Sequence, residues 1–158
     1  MNRDDESSRI WPNRTWDKAL NSAGAGQLIH LRRLMESRPF LSRIPDQSLL
    51  YGDNPSHASD YIRITRDGTI GGGDATYIMA YLPYYKSFKI NTSVIPGDSL
   101  KVWWYNPQTG HAYLQSTMDN DGEYGFSNWN ETIKEGMGGP DWVVVIDDAS
   151  AGYRAPGR

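Results

Sequence analysis

Leu100-Lys101-Val102-Trp103-Trp104-Tyr105-Asn106-Pro107-Gln108-Thr109-Gly110 is the stretch whose reading decides the fold. It reads as a β-strand that stops at a turn. Leu100, Val102 and Trp104 fall on one face at period two, and Lys101, Trp103 and Tyr105 fall on the other. Asn-Pro followed by Gly ends the strand, because Pro lacks an amide hydrogen for the ladder and Gly accepts a positive φ. Adjacent tryptophans in a strand must point to opposite faces, so Trp104 is expected in the core and Trp103 on the outer face. Trp103 and Tyr105 then have two readings there. They are second-layer packing, since Trp is usually well buried, or they form a stacking surface for a ligand.

Working outward, Pro96-Gly97-Asp98 is the turn into this strand and 112–117 its return. Asp119-Asn120-Asp121-Gly122 is a hairpin-like turn into Tyr124–Phe126. Upstream, Thr76–Leu82 is apolar on both faces, which places it centrally in a sheet, and Pro83 ends it. Tyr61–Arg66, Phe88–Ile90 and Asp141–Asp147 supply further strands. About seven short strands punctuated by loops predict a mainly β fold, an antiparallel β-sandwich with an N-terminal helical segment.

That helix is expected from about Gly26 to Ser37, after a break at Gly24-Ala25-Gly26 and a short helix from Thr15 to Leu20. Leu28, Leu31, Leu34 and Met35 recur at helical spacing, and Pro39 ends the run. The connector residues Leu41, Ile44 and Leu49 are expected to fold the helix back onto the sheet, leaving any uncovered stripe to a second copy of the chain. The expected organisation is a lead, helix and connector over 1–52 and a β-sandwich over 53–158.

Composition narrows the function. The 158 residues carry a net charge of −3 without a basic run, which argues against a nucleic-acid partner. With no cysteine there is neither a disulfide nor a thiolate metal site. No run of about 18 apolar residues exists to span a membrane, and Met1–Arg9 is polar, without a signal-peptide core. Tyr and Trp far outnumber Phe, as in a β-rich domain whose faces meet water or a polar ligand.

Chemical motifs are sparse. Asp119, Asp121 and Glu123 surround Gly122, but the spacing fails the EF-hand pattern and reads as a solvated turn. His30, His57 and His111 share no ligand spacing, so no metal and no cofactor are expected. Gly71-Gly72-Gly73 does not join a strand to a helix and is not a phosphate loop. Sequons stand at Asn13, Asn91 and Asn130.

Four segments taken together resemble one family. They are Arg38-Pro39-Phe40 with Pro45-Asp46-Gln47-Ser48-Leu49-Leu50, Tyr77–Pro83, Val102–Gly110, and Gly139-Pro140-Asp141-Trp142 running on to Asp148. In this order they resemble the C-terminal domain, catalogued as "putative collagen-binding", of the apiosidase-like (DUF4038) glycoside hydrolases. The likeness extends over about residues 16–149. The family usually has Asp where this chain has Asn106, and often Arg where it has Gln108. The resemblance implies a β-sandwich that follows a catalytic (β/α)8 barrel, and an extracellular or periplasmic setting. A barrel needs about 250 residues, so the catalytic machinery is not in this chain.

Three function readings result. The first is a non-catalytic accessory sandwich of a glycosidase, its partner the catalytic barrel or a second copy, met through Leu28, Leu31, Leu34 and Met35. The second is a free-standing module for a polysaccharide or an extracellular-matrix protein such as collagen, with ligand contacts drawn from Trp103, Tyr105, Tyr84, Tyr85 and Trp129. The third is a small hydrolase using Asp141, Asp147 or Glu123.

Overall fold

The computed structural model describes residues 15, 20–54, 60–83, 87–126 and 141–158. Among them, eight β-strands form two antiparallel sheets beside one α-helix. In chain order these are α1 (Ala23–Glu36), β1 (Ile44–Pro45), β2 (Arg63–Arg66), β3 (Tyr77–Leu82), β4 (Phe88–Asn91), β5 (Ser99–Tyr105), β6 (Ala112–Asp119), β7 (Glu123–Phe126) and β8 (Trp142–Asp148). The large sheet has the order β1-β2-β3-β8-β5-β6, and β4 pairs with β7 in the small one. The fold is the expected antiparallel, sandwich-like one.

The double-sided strands lie at the centre. β3 and β8 are apolar on both faces and pair through six residues, from Tyr77 opposite Asp147 to Leu82 opposite Trp142. Their inward residues, Ile78, Ala80, Leu82, Trp142, Val144 and Ile146, meet Leu100, Val102 and Trp104 of β5. Phe88, Ile90 and Tyr124 of the small sheet close this core from the other side, with Trp104 and Phe126 rings 4.8 Å apart. Trp104 is thus buried, and the expected parity of the tryptophan pair holds.

The opposite face of the large sheet is also covered. Tyr77, Met79, Tyr105, Val143 and Val145 form a second apolar cluster with Leu34 of α1. Tyrosine hydroxyls reinforce it: Tyr77 donates to the Pro39 carbonyl at 2.7 Å and Tyr105 to the His30 carbonyl at 2.8 Å.

The helix begins at Ala23, upstream of the expected start, so Gly24-Ala25-Gly26 does not break it. Both glycines sit in the first turn, where Gly26 N–H already bonds the Ser22 carbonyl at 3.2 Å. Glycine costs about 1 kcal/mol in a helix, and packing on the sheet outweighs that. The short helix expected from Thr15 lies largely outside the described residues. At the other end Ser37 Oγ donates to the Leu34 carbonyl at 2.7 Å before Pro39 stops the helix.

Residues 44–49 join the sandwich. Ile44 and Pro45 pair with Arg66 and Thr65, and Leu49 lies in the main core. Asp46 stands at the N-cap position of a short turn. The turn is a 3₁₀ helix over Gln47–Leu49, and the Asp46 side chain instead takes the Arg66 guanidinium at 2.6 Å.

A buried ion pair ties the outer face together. Arg38 grips Asp147 with two nitrogens, at 2.7 and 2.6 Å, and both side chains are almost wholly buried. Arg38 also donates to the carbonyls of Ser37 and Arg154, so the guanidinium bridges the end of α1, the end of β8 and the C-terminal tail. Burial pushes the Asp147 carboxyl up, while Arg38, the Trp103 indole and Lys101 pull it down.

Removing one partner of such a pair strands the other charge. Arg38→Ala or Asp147→Ala is expected to lose about 3–5 kcal/mol in denaturant unfolding, whereas Arg38→Met with Asp147→Leu loses far less. Equal losses in the single and double variants would show that packing, not the stranded charge, sets the cost.

Asp46 gives a pH signature. Burial opposes its ionisation, but hydrogen bonds from Arg66 and Ser48 hold the carboxyl below its ordinary value. A depressed carboxylate stabilises the fold above the unfolded value of about 3.9, and this is lost as pH falls through the folded value. The stability difference between the native chain and Asp46→Asn is therefore expected to be full at neutral pH and to shrink below about pH 4. A pH-independent difference would contradict this.

Candidate functional site

The sequence points to the outer face of β5 as a ligand surface. Trp103 and Tyr105 share that face, but α1 lies over it. Tyr105 is 0 % exposed, its ring roofed by the helix. Burial raises its phenol, and Arg33 pulls the other way. Trp103 is half-buried against the second cluster. Tyr84, Tyr85 and Trp129 lie outside the described residues.

The Asn-Pro-x-Thr-Gly turn explains its own sequence. Asn106 Oδ1 accepts from the amides of Gln108 and Thr109 at 2.8 and 3.1 Å, an Asx-type closure. Gly110 N–H returns to the Asn106 carbonyl at 2.8 Å with φ +73°. A side chain at Gly110 would run into the His30 imidazole, so the turn touches α1 at this point. Asn106 thus has an internal structural task in this chain.

The carboxylates of the hydrolase reading are dispersed. Asp147 is locked to Arg38. Glu123 pairs with Lys89 at 2.7 Å on the small sheet, and Asp141 accepts from Gln108 at 3.0 Å. In the turn before Glu123, Asn120 donates to the Ile95 and Gly97 carbonyls and accepts from Thr92, a knot that fixes the crossing from one sheet to the other.

What remains open is the solvent side of α1. Leu34 is 3 % exposed, but Leu28 is 62 % and Leu31 50 % exposed, with Ile29 and Met35 also in solvent. The expected stripe is thus split. Leu28, Leu31 and Met35 lie at i, i+3 and i+7, about a third of a turn around the helix from Leu34 and His30. Nor does the connector fold over them: Leu41 is 90 % exposed and Phe40 is exposed too. A shallow groove of about 550 Å³, lined by Glu36–Ser42 and Tyr153, continues the apolar surface. Spacing revealed the stripe, but not which part the sheet would take.

Sequence reasoning passed over a second exposed group. His111 and Tyr113 lie on β6 and the turn before it, with ring centroids 6.0 Å apart. Their i, i+2 spacing was the available signal.

The likeness to known proteins is consistent with this geometry. A family model described as "Putative collagen-binding domain of a collagenase" matches residues 44–147. A solved structure named "Glycoside hydrolase" superposes with a TM-score of 0.70 at 28% identity, covering 88% of this chain and 28% of that one. A glycoside hydrolase family 5 structure from Bacteroides vulgatus ATCC 8482 superposes with a TM-score of 0.69 at 27% identity, covering 87% of this chain and 27% of that one. The chain therefore spans little more than a quarter of the solved structures it matches. No match is found among curated proteins.

The turn offers a direct check. Gly110→Ala combines a left-handed backbone with a collision against His30. It is expected to lower stability by about 1–3 kcal/mol, read as a lowered unfolding midpoint. A midpoint equal to that of the native chain would mean the turn and α1 are not tightly coupled.

Proposed function

The chain belongs to the family described as "Putative collagen-binding domain of a collagenase", and from that premise we propose that it is a non-catalytic accessory domain that docks onto the catalytic body of a glycoside hydrolase. The observation that carries this reading is the exposed apolar side of α1, with Leu28, Leu31 and Met35 in solvent. Burying such a side chain contributes about 1.5–3 kcal/mol, so a helix with apolar residues on two sides is suited to lie between two bodies. The matched structures support the choice of partner. They are named glycoside hydrolases, and the matched region is little more than a quarter of each. The apiosidase-like (DUF4038) assignment and an extracellular or periplasmic location belong to the same reading. No described helix is long and apolar enough to cross a membrane.

A second reading, a free-standing module that binds a polysaccharide or collagen, takes its collagen half from the family description.

Without its catalytic partner the open face of α1 is expected to self-associate. Sedimentation velocity of the pure chain should show concentration-dependent dimers and larger species. Leu28→Glu with Leu31→Glu should abolish them without lowering the melting temperature, since both side chains are already in water. A chain that stays monomeric at high concentration and binds no apolar dye would overturn the docking reading.

A further inference from the structure

At one end of the large sheet, the inner-face aromatic core runs out to the surface. Trp104 and Trp142 pack with centroids 6.1 Å apart, and Tyr113 lies 6.2 Å from Trp142. His111 follows at 6.0 Å from Tyr113, its ring tilted by 32°. Trp142 is buried, whereas Tyr113 is 37 % exposed and His111 is exposed. Two rings thus form a shelf whose back is anchored in the core.

Register fixes their common side. Tyr113 sits opposite Trp104, and β6 forms the edge of the sheet among the described residues. His111, two positions earlier, falls on the same side. The exposed Gln108 belongs to the turn that leads into His111. Its amide donates to Asp141 at 3.0 Å, and Asp141 directly precedes Trp142. The chain therefore brings a carboxylate and a carboxamide to the same end of the sheet as the two rings.

We propose that the His111–Tyr113 shelf, with Gln108 and Asp141 beside it, is a binding site for a neutral polysaccharide. An aromatic face suits the C–H side of a pyranose ring, and the polar pair supplies acceptors and a donor for hydroxyl groups. The Asp141 charge and the net charge of −3 disfavour uronic or sulfated sugars. Two rings match one or two sugar units, a short contact repeated by a polymer rather than a deep pocket. The choice of sugar over protein rests on the glycosidase-accessory reading. The site itself rests on the geometry of the shelf.

Native gel electrophoresis of the full chain through hydroxyethylcellulose, xylan, galactomannan or arabinogalactan tests the inference. Retardation is expected in at least one gel. Tyr113→Ala should weaken binding roughly 2- to 12-fold, Tyr113→Phe should retain it, and Gln108→Ala should weaken it in the same gel. Circular dichroism confirms that each variant is folded. If Tyr113→Ala is not, Gln108→Ala and His111→Ala decide. The site is overturned by no retardation in any gel, by retardation unchanged in the shelf variants, or by retention on soluble collagen alone. Leu28→Glu with Leu31→Glu should leave retardation unchanged. A failed sedimentation test with intact, shelf-dependent retardation sinks the docking reading and spares the site. The reverse pattern sinks only the site.

Discussion

The bidentate contact between Arg38 and Asp147 organises the outer face of this protein. Its carboxylate is at the end of the central strand β8, and its guanidinium comes from the residue after the α1 cap. The two lie far apart in sequence, and both are buried. A buried charge needs a full set of partners, and Arg38 finds them in Asp147 and the carbonyls of Ser37 and Arg154. Tyr153 adds its ring 4.6 Å from the guanidinium and bonds Thr76 through its hydroxyl at 2.7 Å. The helix end, the central strand and the tail are thereby held in one arrangement. An apolar contact could supply similar stability, but it would not bond the helix end, the strand and the tail at once.

This anchoring determines which part of α1 meets the sheet. With Ser37 and Arg38 fixed, the helix presents Leu34 and the His30 backbone inward. The helical repeat then carries Leu28, Leu31 and Met35 to the open side. The sheet cannot reclaim them by rolling the helix, because that would break the Tyr105 bond to His30 and the contact between Gly110 and the His30 ring. The exposed leucines follow from bonds made elsewhere.

Period-two patterning made the sandwich legible in the sequence. It separated Trp103 from Trp104 and placed β3 at the centre, as found. What it could not supply was contact between distant segments. Nothing near Tyr105 in the chain announces that a helix begun at Ala23 will cover it. In the sequence Arg38 stands out only as the residue before a helix-stopping proline and as part of a family motif, because a buried arginine is recognised by its partner, here 109 positions away. Likewise the stripe on α1 was visible by spacing, but its division between covered and open sides depends on contacts with β5 and the turn after it. The His111–Tyr113 shelf escaped notice because its backing, Trp142, comes from another strand.

The two open surfaces meet at the turn over 106–111. On one flank Gly110 touches His30, which belongs to the helix whose far side is apolar. On the other, Gln108 borders the aromatic shelf that His111 and Tyr113 form on the inner side of β6. A body docked on α1 would cover the outer face and leave the shelf uncovered, because the sheet itself stands between them. A polysaccharide lying on the shelf would then run along the margin of the docked body instead of beneath it. The rigidity of the turn matters for this geometry. Asn106 closes it with two side-chain bonds, and Gly110 permits the close approach to α1. A looser turn would let the shelf drift relative to the helix, and with it any alignment between a held chain and a catalytic partner.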